Sequence, residues 1–468
     1  MNAHVATPVV TEELLRRFDV PGPRYTSYPT ADRFVEAFTA EQYGQALWAR
    51  ASGAATLGTG APLSLYVHIP FCESVCYFCA CNKVVTRQHD RSTEYLEALE
   101  REIALHVERL GAQRPVSQLH FGGGSPTFLS DAELGRLMAS LRQAFHLAPS
   151  AEISIEVDPR TASTARLAHL ASLGFNRLSF GVQDFDPAVQ QAVHRVQSHD
   201  SVVALVRAAR ALGFASTNVD LIYGLPKQTT ESFARTVRQV IELRFERIAL
   251  YAYAHLPQRF KPQRRIDEAV LPKAEDKLRM LAQAITGFTE SGYRYIGMDH
   301  FALPEDSLAV AKRQGRLHRN FQGYSTHPEC DLIGLGVSAI GRVGATYSQN
   351  AKTLPEYYDA LRQGQLPIAR GLALTRDDLL RRAVIMALMC QGRVEFESIE
   401  LAHLIDMRRY FARELEELAT MCIHGLVTIE PRAIQLTPLG WYFVRAVAMV
   451  FDGHLRADRV RERYSRVI

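Results

Sequence analysis

A chain of 468 residues, 47% hydrophobic and 22% charged, has ordinary globular composition, which excludes a fibrous or disordered polypeptide and suggests two or three domains. With 54 basic against 50 acidic side chains the net charge is +4, so composition calls for neither nucleic acid nor an anionic membrane as partner. No apolar run approaches the roughly 18 residues of a bilayer span, and Glu12, Glu13, Arg16 and Arg17 interrupt the opening where a signal peptide needs an unbroken apolar stretch. The expectation is a soluble, intracellular chain.

In chain order, residues 1–55 read as an N-terminal arm, because Pro21-Gly22-Pro23-Arg24-Tyr25-Thr26-Ser27-Tyr28-Pro29 is too rich in proline for a helix or a central strand. From residue 56 to 365, short apolar strands alternate with amphipathic helices. The predicted strands are 63–69, 117–121, 152–157, 177–181, 217–223 and 247–253. A helix over 93–110 places Leu96, Leu99, Ile103, Val107 and Leu110 on one face. Another, over 130–145, opens with Ser130 and Glu133 at capping-box spacing and carries Leu134, Leu137, Met138, Leu141 and Phe145 as one apolar stripe. Strands separated by single helices are most simply parallel. The predicted class is therefore α/β, a partial (β/α)6 barrel, with a doubly wound open sheet as the alternative. Over 366–468 the alternation gives way to a mainly helical C-terminal domain. Its predicted parts are helices over 374–390 and 399–423, a small hairpin of 426–429 with 433–436, and a helix over 439–451.

The unusual residues follow the strands. Cysteines come after the first, Gly122-Gly123-Gly124-Ser125-Pro126-Thr127 after the second, and Glu156 and Asp158 at the end of the third. Gln183 follows the fourth, and Asp220 lies in the fifth near its Gly224-Leu225-Pro226 exit. In parallel β/α folds these strand ends form one rim, where ligands bind. Each residue alone has a plainer reading: a tight turn for the glycines, a buried ion-pair partner for Glu156 or Asp220, a solvated helix residue for Arg195, a packed side chain for His68.

Of seven cysteines, four lie within 72–81, and an odd count in a chain this long argues against a disulfide framework. Cys72-x3-Cys76-x2-Cys79 supplies three thiolates, and soft thiolates select iron–sulfur clusters, zinc or copper(I). A structural zinc site closes with four ligands, commonly two separated pairs, whereas Cys330, Cys390 and Cys422 stand alone. Three thiolates on a 4Fe–4S cubane leave one iron open to another ligand. The cluster is the favoured reading and zinc the second. Cys81 suits a functional thiol or a small packed residue equally. Gly334-x-Gly336-x4-Gly341 lacks both the spacing and the framing strand–helix–strand unit of a dinucleotide loop.

The cysteine motif, with Phe78 before its third cysteine, resembles the radical S-adenosylmethionine (SAM) superfamily. Reading outward, Tyr66-Val67-His68-Ile69-Pro70-Phe71-Cys72, Cys79-Ala80-Cys81-Asn82-Lys83 and Phe121-Gly122-Gly123-Gly124-Ser125-Pro126-Thr127 are similar to the oxygen-independent coproporphyrinogen III oxidase family. So are Gly181-Val182-Gln183-Asp184-Phe185, Asp220-Leu221-Ile222-Tyr223-Gly224-Leu225-Pro226, Gly297-Met298-Asp299-His300-Phe301 and His318-Arg319-Asn320-Phe321-Gln322-Gly323-Tyr324. The Arg24-Tyr25-Thr26-Ser27-Tyr28-Pro29 arm and the Ser465-Arg466-Val467-Ile468 tail extend the likeness over nearly the whole chain.

The resemblance implies a radical-SAM partial barrel with one 4Fe–4S cluster held by Cys72, Cys76 and Cys79, its open iron bound by the amino and carboxylate groups of SAM. It implies two SAM molecules, bound through Tyr66, Phe78, Gly123, Gly124, Ser125, Glu156, Gln183, Arg195, Asp220, Ala254 and Ile340, with the stretch 334–341 lining the second site. Tyr66 and Cys81 are the expected catalytic side chains. The implied reaction is oxidative decarboxylation of two propionates of coproporphyrinogen III to vinyl groups, giving protoporphyrinogen IX for heme biosynthesis, through a 5′-deoxyadenosyl radical. The implied setting is a cytoplasmic monomer served by a flavodoxin- or ferredoxin-like electron donor, with neither nucleic acid nor membrane as partner. Arg24, Arg259 and Arg264 are candidates for the substrate carboxylates. The rival on the same barrel is a heme chaperone without decarboxylase activity, which resembles this chain in the cysteine motif but lacks both the Cys81 position and the arm. A rival of another class is a winged-helix DNA reader at 399–451, with Arg456, Arg459, Arg461, Arg463 and Arg466 behind it; Asp452 and Asp458 interrupt that basic run.

Overall fold

A computed structural model describes residues 11–54, 61–327 and 330–457. The expected tail motif 465–468 and the arginines 459–466 lie outside the described residues. The chain divides into two compact units, one of Phe34–Gly287 with Glu329–Ala373, the other of Met1–Arg33, Phe288–Pro328 and Leu374–Ile468. Among the described residues, no helix is long and apolar enough to cross a membrane.

The first unit is built on strands β1 (Leu63–Ile69), β2 (Arg114–Gly123), β3 (Phe145–Val157), β4 (Arg177–Gln183), β5 (Ser216–Tyr223) and β6 (Arg247–Ala252). They lie side by side in chain order, every neighbouring pair parallel. A doubly wound sheet reverses its strand order at a switch point; β1 to β6 never reverse, so the partial barrel is the correct alternative. β1 is buried on both faces apart from Tyr66, which is why Leu63-Ser64-Leu65-Tyr66-Val67-His68-Ile69 reads as an almost continuous apolar run. On the other side of β1 the sheet continues through β7 (Asp331–Leu335), parallel to β1, and then the antiparallel β8 (Ile340–Val343), β9 (Thr346–Asn350) and β10 (Ile368–Ala373). The alternating pattern seen in the sequence does not reveal these four, because they are short and β7, β8 and β9 follow one another without helices, the helix Leu354–Arg362 coming only before β10.

The helices start where capping chemistry places them. In Asp131–Ala144, Ser130 Oγ accepts the Glu133 N–H at 3.3 Å and Glu133 Oε2 accepts the Ser130 N–H at 2.8 Å, the predicted reciprocal box. Arg91–Leu110 buries the predicted Leu96, Leu99, Ile103 and Leu110, and with them Glu102 and His106. The arm is more ordered than its prolines suggest. Tyr25 and Tyr28 are fully buried within the second unit, Tyr25 Oη donating to Asp452 Oδ2 at 2.9 Å and Tyr28 Oη accepting the Gly453 N–H at 3.0 Å. The arm also holds two helices, Glu12–Phe18 and Ala40–Ala51, on either side of the proline tract.

The helical part of the second unit opens with Arg376–Gln391 under another capping box, Thr375 with Asp378. The single helix expected over 399–423 is three: Phe396–His403, Met407–Tyr410 and Ala412–Ile423. Leu404 adopts φ 54°, which ends the first, and Asp406 caps the next by accepting the Arg409 N–H at 2.7 Å. The hairpin Val427–Ile429 with Ala433–Leu436 gains a third strand, Arg393–Glu395. The expected helix 439–451 begins as a 3-10 turn, Gly440–Phe443, before Val444–Met449.

Candidate active site

At the C-terminal ends of the parallel strands a cavity of about 270 Å³ opens, lined by residues from β2 to β6 and by the loop after β1. Strand register aligns the rim: Gly123 pairs with Ile69, Phe121 with Ile155, and Gly181 with Asp220. Cys72, Cys76, Cys79 and Cys81 all line it. So do Phe78, Gly123, Gly124 and Ser125, and from the later strands Glu156, Gln183, Arg195 and Asp220. Residues separated by nearly 150 positions in sequence thus meet on one wall, as the strand-end rule anticipates.

The cysteine loop is pinned from several directions. The Ser125 N–H donates to the Phe71 carbonyl and the Gly124 N–H to the Ile69 carbonyl, each at 2.8 Å. Lys83 Nζ donates to the carbonyls of Cys79 at 3.2 Å and Cys81 at 3.4 Å, and Gln263 Nε2 to that of Phe78 at 3.0 Å. Tyr77 stacks on His194 at 5.1 Å. The glycines permit this closeness: a Cβ on Gly124 would stand 2.6 Å from the Pro70 carbonyl oxygen, and Gly123 sits at φ 120°. These contacts are those of the tight-turn reading, and the same glycines line the cavity.

The electrostatics are strongly polarised. Burial, with the neighbouring thiols, pushes Cys72 up to about 12, whereas a hydrogen bond from the Cys81 thiol draws Cys79 down to about 6 and drives Cys81 itself up. Burial pushes Asp220 up to about 7, Glu156 adding to the effect, while Asn218 Nδ2 at 2.9 Å and Ser179 Oγ at 3.3 Å donate to its carboxylate. Glu156 Oε2 accepts the Gly123 N–H at 3.2 Å. Gln183 holds φ 69°, a left-handed conformation uncommon for a side-chain-bearing residue, at a register shift in β4.

Some predicted residues lie elsewhere. Tyr66 is outside the cavity lining; its ring stacks on His120 at 5.9 Å and its hydroxyl meets His68 Nδ1 at 3.1 Å. The His68 ring is packed, its Nε2 held 3.0 Å from the Asn82 carbonyl oxygen. Ala254 follows β6 and its carbonyl accepts from Gln263 Nε2 at 3.2 Å. Ile340 opens β8, and the glycines around it serve backbone packing: a Cβ on Gly334 would stand 2.7 Å from the Ile340 carbonyl oxygen. Arg259 and Arg264 do not line the cavity, and Arg24 pairs with Asp299. Conversely, Asp158, Arg160, Lys83, Ser179 and Tyr251 line the cavity without having been singled out as binding residues. Their signal was position, since Asp158-Pro159-Arg160 directly follows β3 and Tyr251 lies at the end of β6.

The donor set suits a thiolate-bound cluster with an amino-acid ligand. Cys72, Cys76 and Cys79 bring three soft thiols to this wall from one short loop, the donor type that iron–sulfur clusters select. Carboxylates, an amide and a guanidinium share that wall, the complement of a zwitterion.

Comparison with known proteins points the same way. Residues 66–240 match the family model of the radical SAM superfamily, and residues 374–443 that of the HemN C-terminal domain. The chain is 50% identical to oxygen-independent coproporphyrinogen III oxidase of Salmonella typhimurium over 455 residues, covering 97% of this chain and 98% of that protein. It is 50% identical to the protein of that name from Pseudomonas aeruginosa over 458 residues, with the same coverage. The solved structure of Escherichia coli coproporphyrinogen III oxidase HemN, described as a radical SAM enzyme, superposes with TM-score 0.88 at 50% identity, covering 92% of this chain and 97% of that one. Likeness of this degree over almost the full length shows that the chain belongs to the oxygen-independent coproporphyrinogen III oxidase family of radical SAM enzymes.

Proposed function

We propose that this protein catalyses the oxygen-independent oxidative decarboxylation of coproporphyrinogen III to protoporphyrinogen IX in heme biosynthesis. The observation that carries the reading is one cavity at the strand ends walled by Cys72, Cys76 and Cys79 together with Glu156, Gln183, Arg195 and Asp220. In this reading the three cysteines hold a 4Fe–4S cluster. The Arg195 guanidinium pairs with the carboxylate of SAM, and the carboxylates of Glu156 and Asp220 take its ammonium and ribose hydroxyls. Gly123 and Gly124 admit the ligand beside the backbone, and Phe78 covers it. When bound, cluster and SAM would supply hydrogen-abstracting radical chemistry at a propionate β-carbon, the electron released with carbon dioxide passing to an external one-electron acceptor. Burial keeps the Tyr66 hydroxyl protonated, so it serves as a neutral donor beside His68. A second SAM, with Ala254 and Ile340 at its site, and a role for Cys81 belong to the same proposal. So do a monomeric cytoplasmic enzyme and a flavodoxin- or ferredoxin-like donor.

The test is stoichiometric. Anaerobic, reconstituted protein given SAM, a reductant and coproporphyrinogen III is expected to release two molecules each of methionine and 5′-deoxyadenosine per protoporphyrinogen IX. SAM cleavage without carbon dioxide release from the tetrapyrrole contradicts the substrate assignment.

A further inference from the structure

Cys76 is the buried member of the motif, and its sulfur has two guanidinium neighbours: Arg195 Nη1 at 3.3 Å and Arg160 Nη2 at 3.5 Å. Both also reach Asp158, Arg195 the less closely, its Nη1 donating to Oδ2 at 3.4 Å and its Nη2 lying 3.3 Å from Oδ1. Arg195 reaches the sulfur while donating through Nε to the Gly181 carbonyl at 2.9 Å, and its side chain borders the cavity where SAM binds in the reading above. Arg160 is clamped. Its Nε and Nη2 donate to Asp158 Oδ1 at 3.0 Å and Oδ2 at 2.6 Å, its backbone N–H to the same Oδ1 at 3.0 Å, and Nη1 to the His194 carbonyl at 3.4 Å. His194 in turn contacts the Val75 carbonyl oxygen through Nδ1 at 2.8 Å and stacks on Tyr77, so the brace returns to the cysteine loop on both sides of Cys76.

A thiolate ligand needs no cation behind it to bind iron. What a fixed cationic donor changes is the energy of the added electron: reduction makes the cluster one charge more negative, and a hydrogen bond to a ligand sulfur favours that state. We propose that Arg160, fixed by Asp158, donates to the Cys76 sulfur and raises the reduction potential of the cluster, bringing it within reach of a biological reductant. Arg160 lines the same cavity as Arg195 but is a positioning and tuning residue, the more tightly bound of the two to Asp158. The inference rests on the cluster reading of the preceding section.

The experiment is an anaerobic potentiometric titration of the reconstituted full chain without SAM, followed by electron paramagnetic resonance, after iron and sulfide have been counted. Arg160→Gln is expected to hold as much iron as wild type. At the wild-type midpoint its reduced-to-oxidised ratio is expected to fall about tenfold, a shift of about 59 mV to more negative potential for one electron. Arg195→Gln, measured alongside, is expected to lose SAM affinity. An unmoved midpoint in fully loaded Arg160→Gln overturns the proposal. Should that variant fail to load, Arg160→Lys decides, because it keeps a cation but not the double bond to Asp158: a ratio lowered about threefold supports the proposal, and an unchanged one overturns it. A wild-type chain that takes up no cluster instead contradicts the cluster reading itself.

Discussion

Gly124 shows how much one residue carries at this site. Its missing side chain lets the loop after β2 approach the Pro70 carbonyl, and the same approach sets its backbone bond to Ile69. Gly124→Ala is expected to lower stability by about 1–3 kcal/mol through overpacking and to impair iron–sulfide loading. Denaturant unfolding measures the first and iron content the second; a fully stable, fully loaded variant contradicts this account of the loop. The thiols and strand-end carboxylates were legible in the sequence because their chemistry is unusual at that spacing. Arg160 was not, since an arginine three residues beyond a strand looks like any solvated side chain until Asp158 and Cys76 are seen on either side of it. Tyr66 presents the reverse case: a motif residue whose ring packs on His120, off the cavity wall.

Among the elements, helix Arg91–Leu110 departs most from a simple amphipathic pattern. Its core face includes Glu102, fully buried, whose Oε2 accepts the Gly336 N–H at 2.7 Å and the Tyr357 hydroxyl at 2.6 Å, while Oε1 accepts from Asn350 Nδ2 at 2.7 Å. Tyr95 on the same helix donates to the His68 carbonyl at 2.6 Å, so this helix fixes both the end of β1 and the turn after β7. Periodicity located the helix but could not distinguish a buried carboxylate from a solvated one. Glu102→Ala takes the partner from the Gly336 N–H and the Tyr357 hydroxyl and leaves Asn350 Nδ2 only its bond to the Gly336 carbonyl, and is expected to cost about 3 kcal/mol or more. Burial raises the Glu102 carboxyl to about 7, so the folded protein holds that proton more tightly than the unfolded chain. Its contribution to stability is therefore lost as pH rises from the ordinary glutamate range through about 7. Thermal melts of the cluster-free chain across that range are expected to slope downward, and Glu102→Gln to flatten the slope; an unchanged slope refutes the assignment. Helix Ala40–Ala51 is tied in by a comparable device, Arg50 Nε lying 2.7 Å from Asp331 Oδ2 with both side chains buried. Removing one partner of such a pair strands the other charge, and Arg50→Leu is expected to cost about 3–5 kcal/mol in unfolding free energy.

At the scale of the whole molecule, strand–helix alternation was enough to recognise the parallel part of the fold, since every predicted strand from 63 to 253 exists, the first unchanged, the middle four longer and the last one residue shorter. What local patterns could not convey is grouping. Phe288–Pro328 clusters with Leu374–Ile468 and with the first part of the arm, a discontinuity made by contacts between distant segments. The antiparallel β8 to β10 likewise extend the sheet beyond β7 with no alternating signal to announce them. The site needed no such long-range knowledge, because parallel topology alone carries all the strand ends to one rim. The central claim is that this rim performs radical decarboxylation of a porphyrinogen, and chromatography of an anaerobic reaction mixture tests it most directly. Wild-type protein reconstituted with iron and sulfide and supplied with SAM, a reductant and coproporphyrinogen III is expected to yield protoporphyrin after oxidation, and Cys76→Ser to yield none. A wild-type protein with an intact cluster that cleaves SAM yet leaves the tetrapyrrole unchanged contradicts it.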